Sequence, residues 1–255
     1  MKSLIRPARL LILLATALWA AQGCQKGSHS SPNNNSGLAT QPTAQASFDN
    51  QSGGVYKGTL SGSSGYFEIN FQGSAPYLLY QWTNPLGNKD SLTSSSLANW
   101  KSGDAIVKAV FTASDGSTFW FSVNADGTSP SIDSVYIPSH MGPVIASICK
   151  ELSTSLVRIY QGSATPTGAG NGNGCYDAIV NMWISGSAGS LTYITPDEGG
   201  IEDVAISGNQ AQVTVGPSAS KGESGTLTIS ADGSSMTGTV SNSSCTHTVT
   251  LTRIL

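Results

Sequence analysis

Short runs of β-branched and aromatic residues recur along this chain, and Gly, Asn, Asp or Ser interrupts almost every one within a few positions. That punctuation leaves no room for the sustained 3.6-residue periodicity of an amphipathic helix; it favours antiparallel strands joined by tight turns. Strands are expected at 55–60, 66–72, 77–82, 105–112, 118–123 and 132–137. A second set is expected at 157–161, 178–185, 191–194, 203–206, 211–215, 225–230, 236–240 and 247–253. Short helical turns are expected only around 95–100 and 144–152. The fold class is therefore all-β: two antiparallel β-barrel or β-sandwich units in tandem, with one larger sandwich as the alternative.

An internal repeat supports two units. Residues 105–127, AIVKAVFTASDGSTFWFSVNADG, lie without a gap over 211–233, AQVTVGPSASKGESGTLTISADG, and both end in Ala-Asp-Gly. Phe121 and Val123 fall on Leu227 and Ile229. Nearer the front, VYKG at Val55 matches IYQG at Ile159 at almost the same spacing. Two stretches repeating at one offset suggest related units, here 55–155 and 156–255.

The two units differ in filling. The first holds every Phe of the globular part beyond Phe48, together with Tyr80, Trp82, Trp100 and Trp120; the second has no Phe. Phe119, Trp120 and Phe121 place rings on both faces of one strand, and Tyr80 and Trp82 share a face. One aromatic set must therefore be covered, line a pocket or form a contact patch, which makes Tyr80, Trp82, Trp100 and Trp120 candidate ligand-binding residues. The second unit carries Cys175 and Cys245 instead, and a bridge between them is the expected staple for a poor core. Cys149 is expected as a buried, reduced thiol; a Cys149–Cys175 bridge is the competing pairing.

At the front, Lys2, Arg6 and Arg9 precede LLILLATALWAA (10–21), an apolar run too short to span a bilayer but suited to a signal peptide over residues 1–23. Ala21-Gln22-Gly23-Cys24 resembles the lipobox of bacterial lipoproteins, with Ala21 where Leu is usual. The resemblance implies that Cys24 becomes the lipidated mature N-terminus, bearing palmitate-like acyl chains. Membrane lipid then becomes a partner, and Gln25 in place of Asp points to the outer membrane. Two or more acyl chains hold a protein stably where one does not. Residues 24–54 are rich in Ser, Asn, Gln and Thr and are expected to form a disordered tether.

Without Lys2, Arg6 and Arg9 the chain has nine cations against 15 acids and no basic cluster, which excludes nucleic acid as a partner. The Asp-Gly pairs at Asp115, Asp126 and Asp232 lack calcium-loop spacing and are expected as turns. PDEGGIED (196–203) is the single acidic cluster and is expected as a solvated loop. SICK (147–150) matches an S-x-x-K motif, but no K-T-G follows. SHM (139–141) and GAGNGNG (168–174) are expected as loops, and no metal or cofactor site is expected.

The expected function is that of a non-catalytic envelope lipoprotein binding an apolar or sugar-like ligand, or an envelope protein, through its aromatic first unit. A structural or surface-display lipoprotein without a ligand is the alternative, and a hydrolase of envelope material comes third.

Overall fold

The structure is a computed structural model that describes residues 38–255 apart from 62–64, 74, 83–88, 94–96, 98, 139, 141–143, 168–174, 197–198 and 217–221. The side chains of residues 89–93 are likewise not described. The expected signal peptide, Cys24 and the expected tether up to Gly37 lie outside the described residues.

Alternation of apolar and polar residues produces strands here because each strand buries one face only. The first set is β1 (Val55–Leu60), β2 (Gly65–Asn70), β3 (Tyr77–Gln81), β4 (Lys89–Thr93), β5 (Ile106–Thr112), β6 (Thr118–Val123), β7 (Ser131–Tyr136) and β8 (Ala146–Glu151). The second is β9 (Val157–Pro166), β10 (Ala178–Ser185), β11 (Ala188–Ile194), β12 (Gly199–Ser207), β13 (Gln210–Thr214), β14 (Ser224–Ile229), β15 (Ser235–Ser241) and β16 (Thr246–Arg253). One 3-10 turn, Ala46–Phe48, precedes them.

Both sets run as meanders in which the first strand pairs with the last. β9 to β16 close into a barrel through the β16–β9 ladder. β1 to β8 form a sheet of the same order, in which β1 pairs with β8 but the sheet stays open between its edge strands β7 and β8. The chain is all-β, as its pattern predicts, with two antiparallel units in tandem.

The repeat marks equivalent places. Tyr56 and Tyr160 are both fully buried, and each stands opposite a cation of its unit's last strand, Lys150 and Arg253. Two residues on, Gly58 and Gly162 face the same last strands, where a Cβ would collide with the carbonyl oxygens of Ser147 and Thr250. Phe121 and Leu227, and Val123 and Ile229, are buried core residues of β6 and β14. Both Ala-Asp-Gly turns place glycine at positive φ, 81° at Gly127 and 68° at Gly233. The gapless match fails one strand earlier, where Val107 is 77% exposed and Val213 is buried. A register shift in β5 between Ile106 and Ala109, with Lys108 at φ 51°, displaces the phase there.

Three expectations need correction. Residues 144–152 contain strand β8 rather than a helical turn: Ser147, Cys149 and Glu151 on its outer face are covered, so no polar–apolar alternation advertises it. β4 has no counterpart in the expected strands, because KDSLT carries few β-forming side chains. The tether does not extend to Gly54. Arg253 donates to the Ala39 carbonyl, Thr43 to Glu151, and Lys150 to the carbonyls of Phe48, Asp49 and Gln51. Polar side chains and backbone supply the attachments, which is why a composition poor in apolar residues conceals them.

The outer faces of the two units meet through polar groups. Asn181 Nδ2 donates to the Leu60 carbonyl at 2.8 Å, Trp183 Nε1 to Ser147 Oγ at 2.8 Å, and Thr192 Oγ1 to Thr59 Oγ1 at 3.2 Å. All six residues of β1 are buried, one face by its own core and the other by this contact.

Candidate functional site

The first unit is filled. Tyr56, Phe67, Phe71, Phe111, Phe119 and Phe121 occupy its interior, with Phe71 and Phe121 stacked at 5.6 Å. Tyr80 and Trp82 belong to this core: the Tyr80 hydroxyl lies 3.1 Å from both Asp115 Oδ2 and Ser117 Oγ, and Trp82 meets the His140 ring edge-on at 5.0 Å. Trp100 packs on Phe71 from the side at 5.2 Å. Trp120 lies on the opposite face of β6 from Phe119 and Phe121. The four candidate ligand-binding aromatics are therefore not one patch. Three serve the packing of the first unit, since inward alternation along β3 leads Tyr80 and Trp82 into it, and Trp120 stands apart.

On four neighbouring strands of the second barrel the large inward residues stand at one end. Along β9 the inward positions read Tyr160, Gly162, Ala164; along β10, running the other way, Ala178, Val180, Met182, Ile184. β15 and β16 follow suit, Met236 to Val240 and Leu251 to His247. Because neighbours are antiparallel, the bulk of these four strands gathers at the Tyr160 end, where the Tyr160 hydroxyl donates to the Gly233 carbonyl at 2.9 Å. The other end is left hollow: a cavity of about 810 Å³ is walled by Ala164, Ala178, Val180, Leu191, Val213, Val240 and Val249. An eight-stranded barrel is just wide enough to be filled by side chains or to hold one small ligand, and this one is filled at one end and hollow at the other.

Polar groups crowd the hollow end. Glu202 points inward from β12, between Gly200 and Val204, and is 1% exposed. Its Oε2 accepts the Gly216 N–H at 2.6 Å and its Oε1 the Glu223 N–H at 3.3 Å. Burial raises its carboxyl above the ordinary range, the two N–H donors oppose that, and the carboxylates of Glu223 and Asp203 add to it. His247 Nε2 lies 3.1 Å from the Tyr176 carbonyl oxygen. His247 Nδ1 lies 2.8 Å from Glu223 Oε1, yet without the alignment of a hydrogen bond. Tyr176, Tyr193, Thr195 and the segment Ser241–Cys245 complete the rim. The Cys175–Cys245 disulfide ties the start of β10 to the start of β16 there, so the expected staple borders the cavity. Among the described residues Cys149 is the free cysteine, and burial pushes its thiol up.

Other motifs resolve into structure. Ser147 and Lys150 of SICK point to opposite faces of β8. The carboxylates of Asp115, Asp126 and Asp232 each accept the N–H two residues on, closing their turns. PDEGGIED divides: Asp197 and Glu198 lie outside the described residues, Glu202 faces the cavity and Asp203 faces out. GAGNGNG and Met141 also fall outside the described residues. Among the described residues no three of His, Cys, Asp or Glu are close enough to hold a metal ion.

Comparison with protein-family models, curated proteins and solved structures gave no match. The functional reading therefore rests on the cavity itself.

Proposed function

We propose that this protein is a membrane-anchored lipoprotein of the bacterial envelope that binds a small amphiphilic molecule, without transforming it, in the hollow end of its second barrel. The observation that carries the reading is the cavity of about 810 Å³, apolar along its walls and polar at its rim. Ligand pockets combine these two features, and this volume is within their usual range. The outward row of the barrel supports a body bathed in water: Thr226, Thr239, Thr248 and Thr165 align across β14, β15, β16 and β9. A membrane-spanning barrel needs apolar residues on that face.

The site thus moves from the aromatic unit, where the pattern first placed it, to the unit without Phe. The first unit then acts as a packed body beside the binding barrel, joined to it by the polar contacts of β1 and β8 with β10 and β11. The anchor itself is supported by the lipobox-like Ala21-Gln22-Gly23-Cys24.

Two measurements test the reading. Titration with N-phenyl-1-naphthylamine, a neutral apolar fluorophore, is expected to give saturable enhancement that Val180→Trp abolishes by filling the cavity. Equal enhancement in wild type and a folded Val180→Trp variant would exclude this site. Radiolabelled palmitate is expected to enter the wild type and not Cys24→Ser; absence of label from both would remove the anchor.

A further inference from the structure

We infer that the polar end of the second barrel's ligand is a hydroxyl group, whose O–H is accepted by Glu202 just inside the mouth. This rests on the reading of the barrel as a binding site and adds the head group that it selects.

Glu202 stands where the alternation of β12 calls for an apolar residue. It shares the inward face with Gly200 and Val204, is 1% exposed, and borders the cavity together with Leu191, its partner on β11, and Val213. A buried carboxylate is costly unless its oxygens are paired, and it offers roughly four acceptor positions. The Gly216 N–H fills one on Oε2 and the Glu223 N–H one on Oε1, and among the described residues no other donor meets it. Those two bonds pin the two sides of the β13–β14 connection, so a structural role accounts for half of the side chain's capacity. Leu191 and Val213 carry no donor, and the remaining acceptor positions are left to whatever occupies the cavity.

A hydroxyl fits these positions better than a group that only accepts. It donates one O–H and accepts through two lone pairs. Burial raises the Glu202 carboxyl and its two N–H donors oppose the rise. A hydroxyl pairs with either form, donating to the carboxylate and accepting from the acid, whereas an ether oxygen gives the carboxylate no donor. The polar lining beside Glu202 points the same way, because most of it is uncharged: Thr195, Ser224, Ser241, Asn242 and Ser243. Such a rim suits an uncharged polar head, while the walls of Val180, Val240 and Val249 take the hydrocarbon.

The experiment compares two isomers, octan-1-ol and 1-methoxyheptane, on the full chain carrying Cys24→Ser, free of detergent. They share one formula, and only the alcohol has a donor. Affinities are read from displacement of N-phenyl-1-naphthylamine. The alcohol is expected to bind roughly tenfold or more tighter than the ether, the scale of a hydrogen bond to a charged group. Glu202→Gln is expected to shrink that ratio while the ether's affinity, which reports a folded barrel, is retained. The carboxyl carbon-13 signal of Glu202 gives a second readout without substitution: it is expected to shift saturably with the alcohol and to stay in place with the ether. An ether that binds as tightly as the alcohol would overturn the hydroxyl assignment and leave the binding site standing. So would an unchanged ratio in Glu202→Gln, or a Glu202 signal that the alcohol does not move. If Glu202→Gln loses the ether as well, the wild-type ratio and the carboxyl signal decide. A fluorophore that responds while neither isomer displaces it would also overturn the hydroxyl assignment alone. No response to the fluorophore, with no shift on adding the alcohol, would instead remove the site and the inference with it.

Discussion

Lys57 Nζ lies 2.6 Å from Glu151 Oε2, and both side chains are buried on the outer face of the first unit. The same carboxylate accepts the Val157 N–H, and its other oxygen accepts the N–H and hydroxyl of Thr43. One side chain thus joins the incoming segment, the first unit and the first strand of the second barrel. Burial would raise the Glu151 carboxyl, but Lys57 and these donors hold it below the ordinary range. Lys57→Met leaves a buried charge uncompensated and is expected to cost about 3–5 kcal/mol. Chemical denaturation measures it, and the double variant Lys57→Met with Glu151→Gln should recover part of the loss. A cost below about 1 kcal/mol for the single change would show the pair to be solvated.

Acid should destabilise the fold below pH 4. The Ser230 hydroxyl and the N–H and hydroxyl of Ser234 lower Asp232 from 3.8 to about 2. Asp49 is lowered by its bonds from Ser153, and Asp126 by those from Thr128. A carboxyl lowered by folding contributes stability above its unfolded value and loses it as pH falls through the folded one. Glu68 and Glu202, raised by burial, act in the opposite sense, and their contribution is lost as pH rises through their raised values. Melting temperature is therefore expected to fall between pH 4 and pH 2, and Asp232→Asn to make that fall shallower. An unchanged slope in the variant would contradict the turn's role.

The disulfide closes a separation of 70 residues around the rim. Replacing Cys175 and Cys245 together by Ser is expected to destabilise the second barrel by about 4 kcal/mol in the chain-entropy model. Non-reducing peptide mapping should find these two joined and Cys149 reduced. A disulfide peptide containing Cys149 would contradict the assignment.

Gly58 and Gly162 test whether the units are equivalent. Alanine at either forces a methyl group against a carbonyl oxygen of the last strand. Each substitution is expected to cost about 1–3 kcal/mol, the range of overpacked positions. Thermal unfolding that is unaffected by both changes would mean that the strands separate freely there.

Much of the fold was readable before any coordinates. The alternation in TFWFSV or SMTGTVS dictates a strand with one buried face, and Tyr56-x-Gly58 and Tyr160-x-Gly162 announced two related units. Strand β8 escaped because contact with the second barrel covers its polar face as well. The cavity was legible yet misread. A unit without Phe looks like one with a poor core, but on β9 and β10 the small inward residues Ala164, Ala178 and Val180 stand at one end, while Tyr160, Met182 and Ile184 keep to the other. A uniformly weak core would mix them. Glu202 was hidden by its neighbours: Pro196 to Gly200 reads as a loop, and only its parity with Val204 shows that the carboxylate turns inward. The misaligned His247 and Glu223 have no sequence signal at all, since β14 and β16 are brought together at the rim only by closure of the barrel.

The central claim is that a small amphiphile enters the second barrel, and methyl-resolved NMR during titration with octan-1-ol tests it most directly. The methyl signals of Val180, Leu191, Val213, Val240 and Val249 are expected to shift saturably together, while those of Leu60, Ile69 and Leu78 in the packed first unit stay in place. Shifts gathered in the first unit, or none in either at saturating ligand, would contradict it.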